Sequence, residues 1–264
     1  MHFDLIQTLS VAGDTATPND DRCGSTARLA WMIDGATDLD EPGLMGAQGG
    51  AAWLSETAAH AFASADAAPL GTIVGEVFAR LASAYRTERA REPLGAWEHP
   101  SAAFLAVAIE EGVLHLAWLA DCACLLIRDD EVIRLGPKAT MTETEQARAL
   151  AGPREAVRTV LRQHRARPER RVLGIDPAHA DDVHYASATI RAGDDIVLMT
   201  DGMAALFDDY DMPLAAFVSH LRDEGLPELA VRLRAIERDD AVCTRYPRFK
   251  RSDDATAFWL RVAG

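Results

Sequence analysis

Four apolar segments, 102–109, 113–120, 122–128 and 131–135, follow one another with almost nothing between them. Glu110-Glu111-Gly112 and Asp129-Asp130 are turn signals at two of the breaks, so the stretch predicts an antiparallel meander. That feature constrains the rest of the chain. Residues 3–11 and 27–34 are also strand-like, joined by a polar stretch. Residues 47–67 and 70–91 carry apolar positions at helical spacing, with a break at Pro69. Beyond 137 the chain turns polar and arginine-rich up to about residue 180, with a helix expected over 142–165. Strands are expected again at 183–191 and 195–200, helices at 212–223 and 227–239, and a final strand at 255–262. Strands in runs, alternating with helices in runs, predict an α+β fold in which helices cover antiparallel sheets. The pairing reads as mostly local, which argues against a doubly wound parallel sheet. With no repeat, low-complexity tract or linker, residues 1–264 are expected to be one domain.

Charge narrows the function. The 264 residues carry 41 acidic and 27 basic side chains, a formal charge of −14. Nucleic-acid backbones and anionic membranes both require a cationic surface, so neither is an expected partner. The first twenty residues show no basic segment followed by an apolar core, and no apolar run approaches the ~20 residues that span a bilayer. Four cysteines are too few for a disulfide scaffold at this length. The expected compartment is the cytoplasm.

An acidic surplus is ordinarily a solvated surface, but some of these aspartates are placed in a pattern. The two Asp-Gly dipeptides, Asp34-Gly35 and Asp201-Gly202, each end an apolar strand. A strand-end Asp holds its carboxylate rigidly, and the glycine permits a tight turn in which its own carbonyl approaches a ligand. Mg²⁺ and Mn²⁺ require several such oxygen ligands. Asn19-Asp20-Asp21, Asp121 and Asp253-Asp254 also lie at strand boundaries. A converging set of bare carboxylates repels itself and is tolerated when metal ions offset the charge.

Asn19-Asp20-Asp21, Ile33-Asp34-Gly35-Ala36-Thr37, Ala120-Asp121-Cys122, Met199-Thr200-Asp201-Gly202-Met203 and Asp253-Asp254-Ala255-Thr256 occur in this order. The series resembles the metal-dependent type-2C protein serine/threonine phosphatases, in a divergent, bacterial-type form. The resemblance runs from residue 19 to the last strand and implies a four-layer αββα sandwich of two antiparallel sheets flanked by helices. It implies that Asp34 bridges two Mn²⁺ or Mg²⁺ ions with the Gly35 carbonyl on one of them, and that Asp201 and Asp253 hold the other. Asp20 would bind through water, Asp21 would orient metal-bound waters, and Asp121 with Asp201 would form a third metal site. Residues 137–180 would be a flap beside the active site. The implied reaction is attack of a metal-bridging water on phosphoserine or phosphothreonine in a protein substrate, in a pathway linked to a kinase.

The departures are specific. The family's phosphate-binding arginine is replaced by Ala16, so the phosphate-binding residue is unassigned. Ala36 stands where animal members carry a histidine, Thr37-Asp38 replaces a double glycine, and Ala120-Asp121-Cys122 replaces Gly-Asp-Ser. These changes keep two alternatives open: a noncatalytic regulatory metal-binding module of the same fold, and a phosphatase of small phosphate esters. Arg158, Arg162, Arg165, Arg167, Arg170 and Arg171 either steer an acidic partner or, more plainly, decorate a solvated helix and loop. Arg245, Arg248, Lys250 and Arg251 either replace the missing arginine or balance local acid. Cys122 and Cys124 read as buried thiols rather than zinc ligands, and His115 as structural. Motifs of zinc proteases, serine hydrolases and P-loop nucleotidases are absent.

Overall fold

A computed structural model of the protein describes residues 1–39, 43–137 and 154–264. Its strands are β1 (His2–Val11), β2 (Arg22–Ser25), β3 (Leu29–Gly35), β4 (Ser101–Glu110), β5 (Val113–Leu119), β6 (Ala123–Arg128), β7 (Glu131–Leu135), β8 (Leu173–Gly174), β9 (His184–Thr189), β10 (Asp195–Met199) and β11 (Ala255–Ala263). Its helices are α1 (Gly50–Ala63), α2 (Leu70–Glu88), α3 (Arg154–Arg165), α4 (Asp201–Asp208), α5 (Leu214–Glu224) and α6 (Leu226–Asp239). One sheet runs β1-β11-β10-β6-β7; the other runs β2-β3-β4-β5-β9, with β8 pairing to β4. All pairings are antiparallel.

Three apolar layers explain why the central strands read as continuous apolar runs: both of their faces are covered. On β3 and β4, Trp31, Ile33, Phe104 and Ala106 face α1 and α2, where Phe62 and Phe78 meet Phe104 at ring distances of 6.3 and 6.4 Å. The alternate residues Met32, Leu105 and Val107 face the other sheet and pack with Cys124, Leu126, Ile196, Leu198 and Phe258. Leu125 and Val197 point outward again, beneath α4, α5 and α6. The result is the expected αββα sandwich.

Four expectations are corrected. The segment 102–135 is not one meander. It is two hairpins, β4–β5 and β6–β7, in different sheets, because the chain crosses the sandwich at Ala120-Asp121-Cys122. Pairing is also less local than expected: β1 and β11, from opposite ends of the chain, are neighbours over nearly their whole length. In addition, Asp201-Gly202 does not form a turn but opens α4, and β2 lies within the polar stretch expected to join the first two strands. Of the helix expected at 142–165, α3 supplies the second half; residues 142–153 lie outside the described residues.

The crossing has a local cost. Ala120 adopts φ 64, the left-handed region that disfavours a Cβ by about 1–2 kcal/mol. Ala120→Gly is therefore expected to stabilise the protein by about 0.5–1 kcal/mol, after the greater chain entropy of glycine is subtracted. A denaturant midpoint that stays put or falls would contradict this reading of the bend.

Candidate functional site

The sandwich brings five distant acidic segments to one end. Asp34 lies near the end of β3, in register with Ala103 of β4. Asp201 is the first residue of α4, just past β10. Asp253 and Asp254 immediately precede β11, Asp20 and Asp21 immediately precede β2, and Asp121 sits in the crossing between the sheets. Carboxylate oxygens of Asp34, Asp121 and Asp201 lie within 4.8 Å of one another. Asp34, Gly35, Asp121, Asp201 and Asp253 line one cavity of about 310 Å³. Asp20 and Asp21 do not line it; they are buried, with 8% and 3% exposure.

Backbone contacts lock these segments together. Asp254 is a structural clamp: its carboxylate accepts from the Gly13 N–H at 2.8 Å and the Asp20 N–H at 2.7 Å. Thr200 joins three segments. Its N–H donates to the Thr256 carbonyl at 3.0 Å, its hydroxyl donates to Asp21 Oδ2 at 3.0 Å, and the hydroxyl oxygen accepts from the Thr256 N–H at 3.0 Å. Two glycines permit the close approach. A Cβ on Gly202 would fall 1.9 Å from the Asp254 carbonyl oxygen, and one on Gly35 would fall 2.8 Å from the Asp20 carbonyl oxygen. The sequence departures have roles too. Asp38, in place of a glycine, accepts the Gly50 N–H at 2.6 Å and so caps α1 with a negative charge.

The electrostatics are those of a cluster awaiting a counter-charge. Burial, then Asp254, holds the Asp20 carboxyl up at about 6; burial, with Asp254 and Asp201, holds Asp21 at about 8. Burial, then repulsion by neighbouring carboxylates, pushes both Asp34 and Asp201 above the ordinary carboxylate range; Asp201 and Asp21 act on Asp34, and Asp121 and Asp253 act on Asp201. Among the described residues, Oδ1 of Asp21 and Oγ of Ser55, which lies beside Gly35, are buried without a hydrogen-bond partner. Without metal, the protonated forms are thus favoured in the fold, so these groups stabilise it fully only below the ordinary carboxylate pKa near 4. That contribution disappears as pH rises through about 6 for Asp20 and about 8 for Asp21. In chelator, the melting temperature is expected to fall between about pH 5 and pH 8, and added Mn²⁺ should raise it most at the alkaline end. Melts whose metal-induced shift is the same at both ends would contradict this electrostatic picture.

The arginine-rich segment is largely built into the structure. The Arg158 guanidinium donates to the Leu39 carbonyl, Arg162 lies over the Trp97 ring at 5.0 Å, and Arg171 pairs with Asp182 at 2.6 Å. Arg165, Arg170 and Arg171, with His164, nevertheless line the acidic cavity. Of the second basic cluster, Arg248 is tied to Asp240, at 2.8 Å, and to the Tyr246 and Arg251 carbonyls. Only Lys250 of that cluster lines the cavity, with its ammonium 2.7 Å from Asp253 Oδ1. Sequence reading did not single out His164 or separate Lys250 from its neighbours, because nothing local marks which cation faces the acids. Cys122 and Cys124 are buried between the sheets as expected, and burial pushes the Cys124 thiol up to about 12.

Comparison with known families decides what this arrangement belongs to. A family profile described as protein phosphatase 2C matches residues 13–234. The chain belongs to the protein phosphatase 2C family. The matched region takes in Asp20, Asp21, Asp34, Asp121 and Asp201, while the Asp253 segment follows it. No curated protein sequence matches the chain. Among solved structures, the fold is similar to the Mycobacterium tuberculosis serine/threonine phosphatase PstP/Ppp, with TM-score 0.63, 18% identity and complete coverage of both chains. It is also similar to the catalytic domain of PstP in complex with two manganese ions, with TM-score 0.58, 19% identity, and 100% and 99% coverage. A third is PppA, a regulatory component of T6SS in Pseudomonas aeruginosa, with TM-score 0.57, 16% identity, and 99% and 98% coverage.

Proposed function

We propose that this protein phosphatase 2C family member is a metal-dependent hydrolase of phosphoserine and phosphothreonine in a phosphorylated protein, opposing a kinase. The observation that carries the reading is the convergence of Asp34, Asp121 and Asp201 from three separate segments on one open cavity. The donor set fits Mn²⁺ or Mg²⁺, since carboxylates and the Gly35 carbonyl are hard oxygen ligands. The manganese ions in the PstP catalytic domain support the same choice. Asp34 with Gly35, and Asp201 with Asp253, would each hold an ion, Asp121 with Asp201 a third, and Asp20 would act through water. Such ions supply Lewis acidity and a water acidic enough to serve as a nucleophile near neutral pH.

The chain's own groups do the rest. Asp21, whose buried Oδ1 has no hydrogen-bond partner among the described residues, would be an acceptor that orients the attacking water. Thr200, holding the other oxygen of Asp21, fixes that orientation. The water oxygen gives up a proton and bonds to phosphorus, the bond from phosphorus to the seryl or threonyl oxygen breaks, and that oxygen takes up a proton in exchange with solvent. Within this reading residues 1–264 act as one domain, the described part of the expected 137–180 flap, residues 154–180, flanks the cavity while residues 138–153 lie outside the described residues, and the protein works in the cytoplasm, where its four free cysteines suit a reducing medium.

The test is hydrolysis of an aryl phosphate and of a phosphopeptide panel with Mn²⁺, against the same reactions in chelator. Metal-dependent turnover with phosphopeptides preferred is the expected result. Turnover that survives the chelator, or a clear preference for small phosphate esters, would overturn it.

A further inference from the structure

A phosphomonoester brings two negative charges to a cavity whose floor is already acidic. Family members meet them with an arginine that is absent here, and Ala16 is exposed in its loop. Cations from two other segments meet instead at a single residue. Thr37 lies three positions past Asp34 and lines the same cavity. Its hydroxyl oxygen accepts from Lys250 Nζ at 3.3 Å, and its carbonyl accepts from an Arg165 guanidinium nitrogen at 2.9 Å. The geometry points to Lys250 and Arg165, meeting at Thr37, as the pair that binds the substrate's phosphoryl oxygens. The inference rests on the phosphatase reading above.

Donor capacity supports it. Among the described residues, Asp253 and Thr37 engage two of the three N–H donors of Lys250, and Thr37 engages one of the five of Arg165. Arg165 is also crowded by a like charge. Burial and the neighbouring Arg170 lower it to about 10. A dianion bound in the cavity would be attracted by both guanidinium groups that line it. Arg170 donates to Ser101 Oγ at 2.9 Å, and Arg171 pairs with Asp182 at 2.6 Å. Lys250 is held in place by the loop before it, where the Asp240 carboxylate accepts the backbone N–H groups of Thr244, Arg245 and Tyr246 and pairs with Arg248. Such a loop delivers a cation to the site without any arginine at position 16.

Orthophosphate binding to the Mn²⁺-saturated chain of residues 1–264 tests the pair without requiring turnover. By calorimetry at fixed ionic strength, Lys250→Met and Arg165→Met are each expected to weaken orthophosphate roughly 10-fold, and to raise KM for an aryl phosphate in parallel. Lys250→Arg should stay within about 3-fold of the parent chain, because charge and donors persist. Lys250 is half-exposed, so its variant carries little risk to the fold, and the melting temperature of each variant checks that Arg165→Met has not loosened α3. Unchanged orthophosphate affinity in Lys250→Met, with only Mn²⁺ affinity altered, would make Lys250 a mere counter-ion of Asp253 and overturn the proposal. A parent chain that binds no orthophosphate would overturn it as well. If the variants lose orthophosphate while no phosphoester is hydrolysed by the parent chain, the anion site stands and the phosphatase reading fails.

Discussion

Asp34→Asn is expected to abolish metal-dependent phosphoester hydrolysis, lowering kcat by about 1,000-fold or more, while raising the melting temperature of the metal-free protein by about 2–5 °C. The two effects have opposite signs for one reason. Asp34 is partly buried beside Asp201, Asp21 and Asp253, and desolvation, then these neighbours, push its carboxyl above the ordinary range. An amide of the same shape removes that repulsion but is a poor ligand for a hard cation. Active sites commonly hold such unfavourable charge in reserve. Melting in chelator and turnover in Mn²⁺ check both halves together. If the variant loses stability along with activity, Asp34 is a structural residue.

Gly202→Ala is expected to be the most damaging change of a single methyl group. The added Cβ would sit 1.9 Å from the Asp254 carbonyl oxygen, which is backbone and has no flexible end to swing aside. Either α4 moves, taking Asp201 with it, or the Asp254 segment moves, releasing its clamps on Gly13 and Asp20. The cost should be about 3 kcal/mol, at the upper end of overpacking effects, with Mn²⁺ affinity falling in step. Gly75→Ala in α2 is the matched control. No atom lies within 4 Å of a Cβ there, and helix propensity favours the alanine by about 0.5–1 kcal/mol. Similar melting temperatures for the two variants would contradict the close packing described at Asp254.

Much of this was legible in the sequence because the signals were local. The alternation of Trp31 and Ile33 with Ala30 and Met32, or of Phe104 with Leu105, is what a strand covered on both faces requires, and its apolar runs stand out. The five acidic segments were legible through their order, which matches the family's, and the fold brings three of their carboxylates within 4.8 Å. The rest depended on tertiary placement. The crossing at Ala120-Asp121-Cys122 looks like any short break between strands, and which sheet a hairpin joins is decided by packing across the sandwich. Asp201-Gly202 read as a turn, although an acid in a first helical turn is also a helix-start signal, and α4 begins there. The short β2 is defined by its pairing with β3 more than by its own four residues. Lys250 and Arg165, 85 positions apart, meet at Thr37 through packing that no spacing rule anticipates.

Binding of Mn²⁺ to the metal-stripped protein, followed by calorimetry near pH 7.5, tests the central claim most directly. Two or more ions should bind to the parent chain, binding should weaken toward pH 6 as the carboxyls of the cluster gain protons, and Asp34→Asn and Asp201→Asn should each lose at least one ion. No binding, or binding that neither substitution alters, would contradict the assignment of this acidic end of the sandwich as the metal centre.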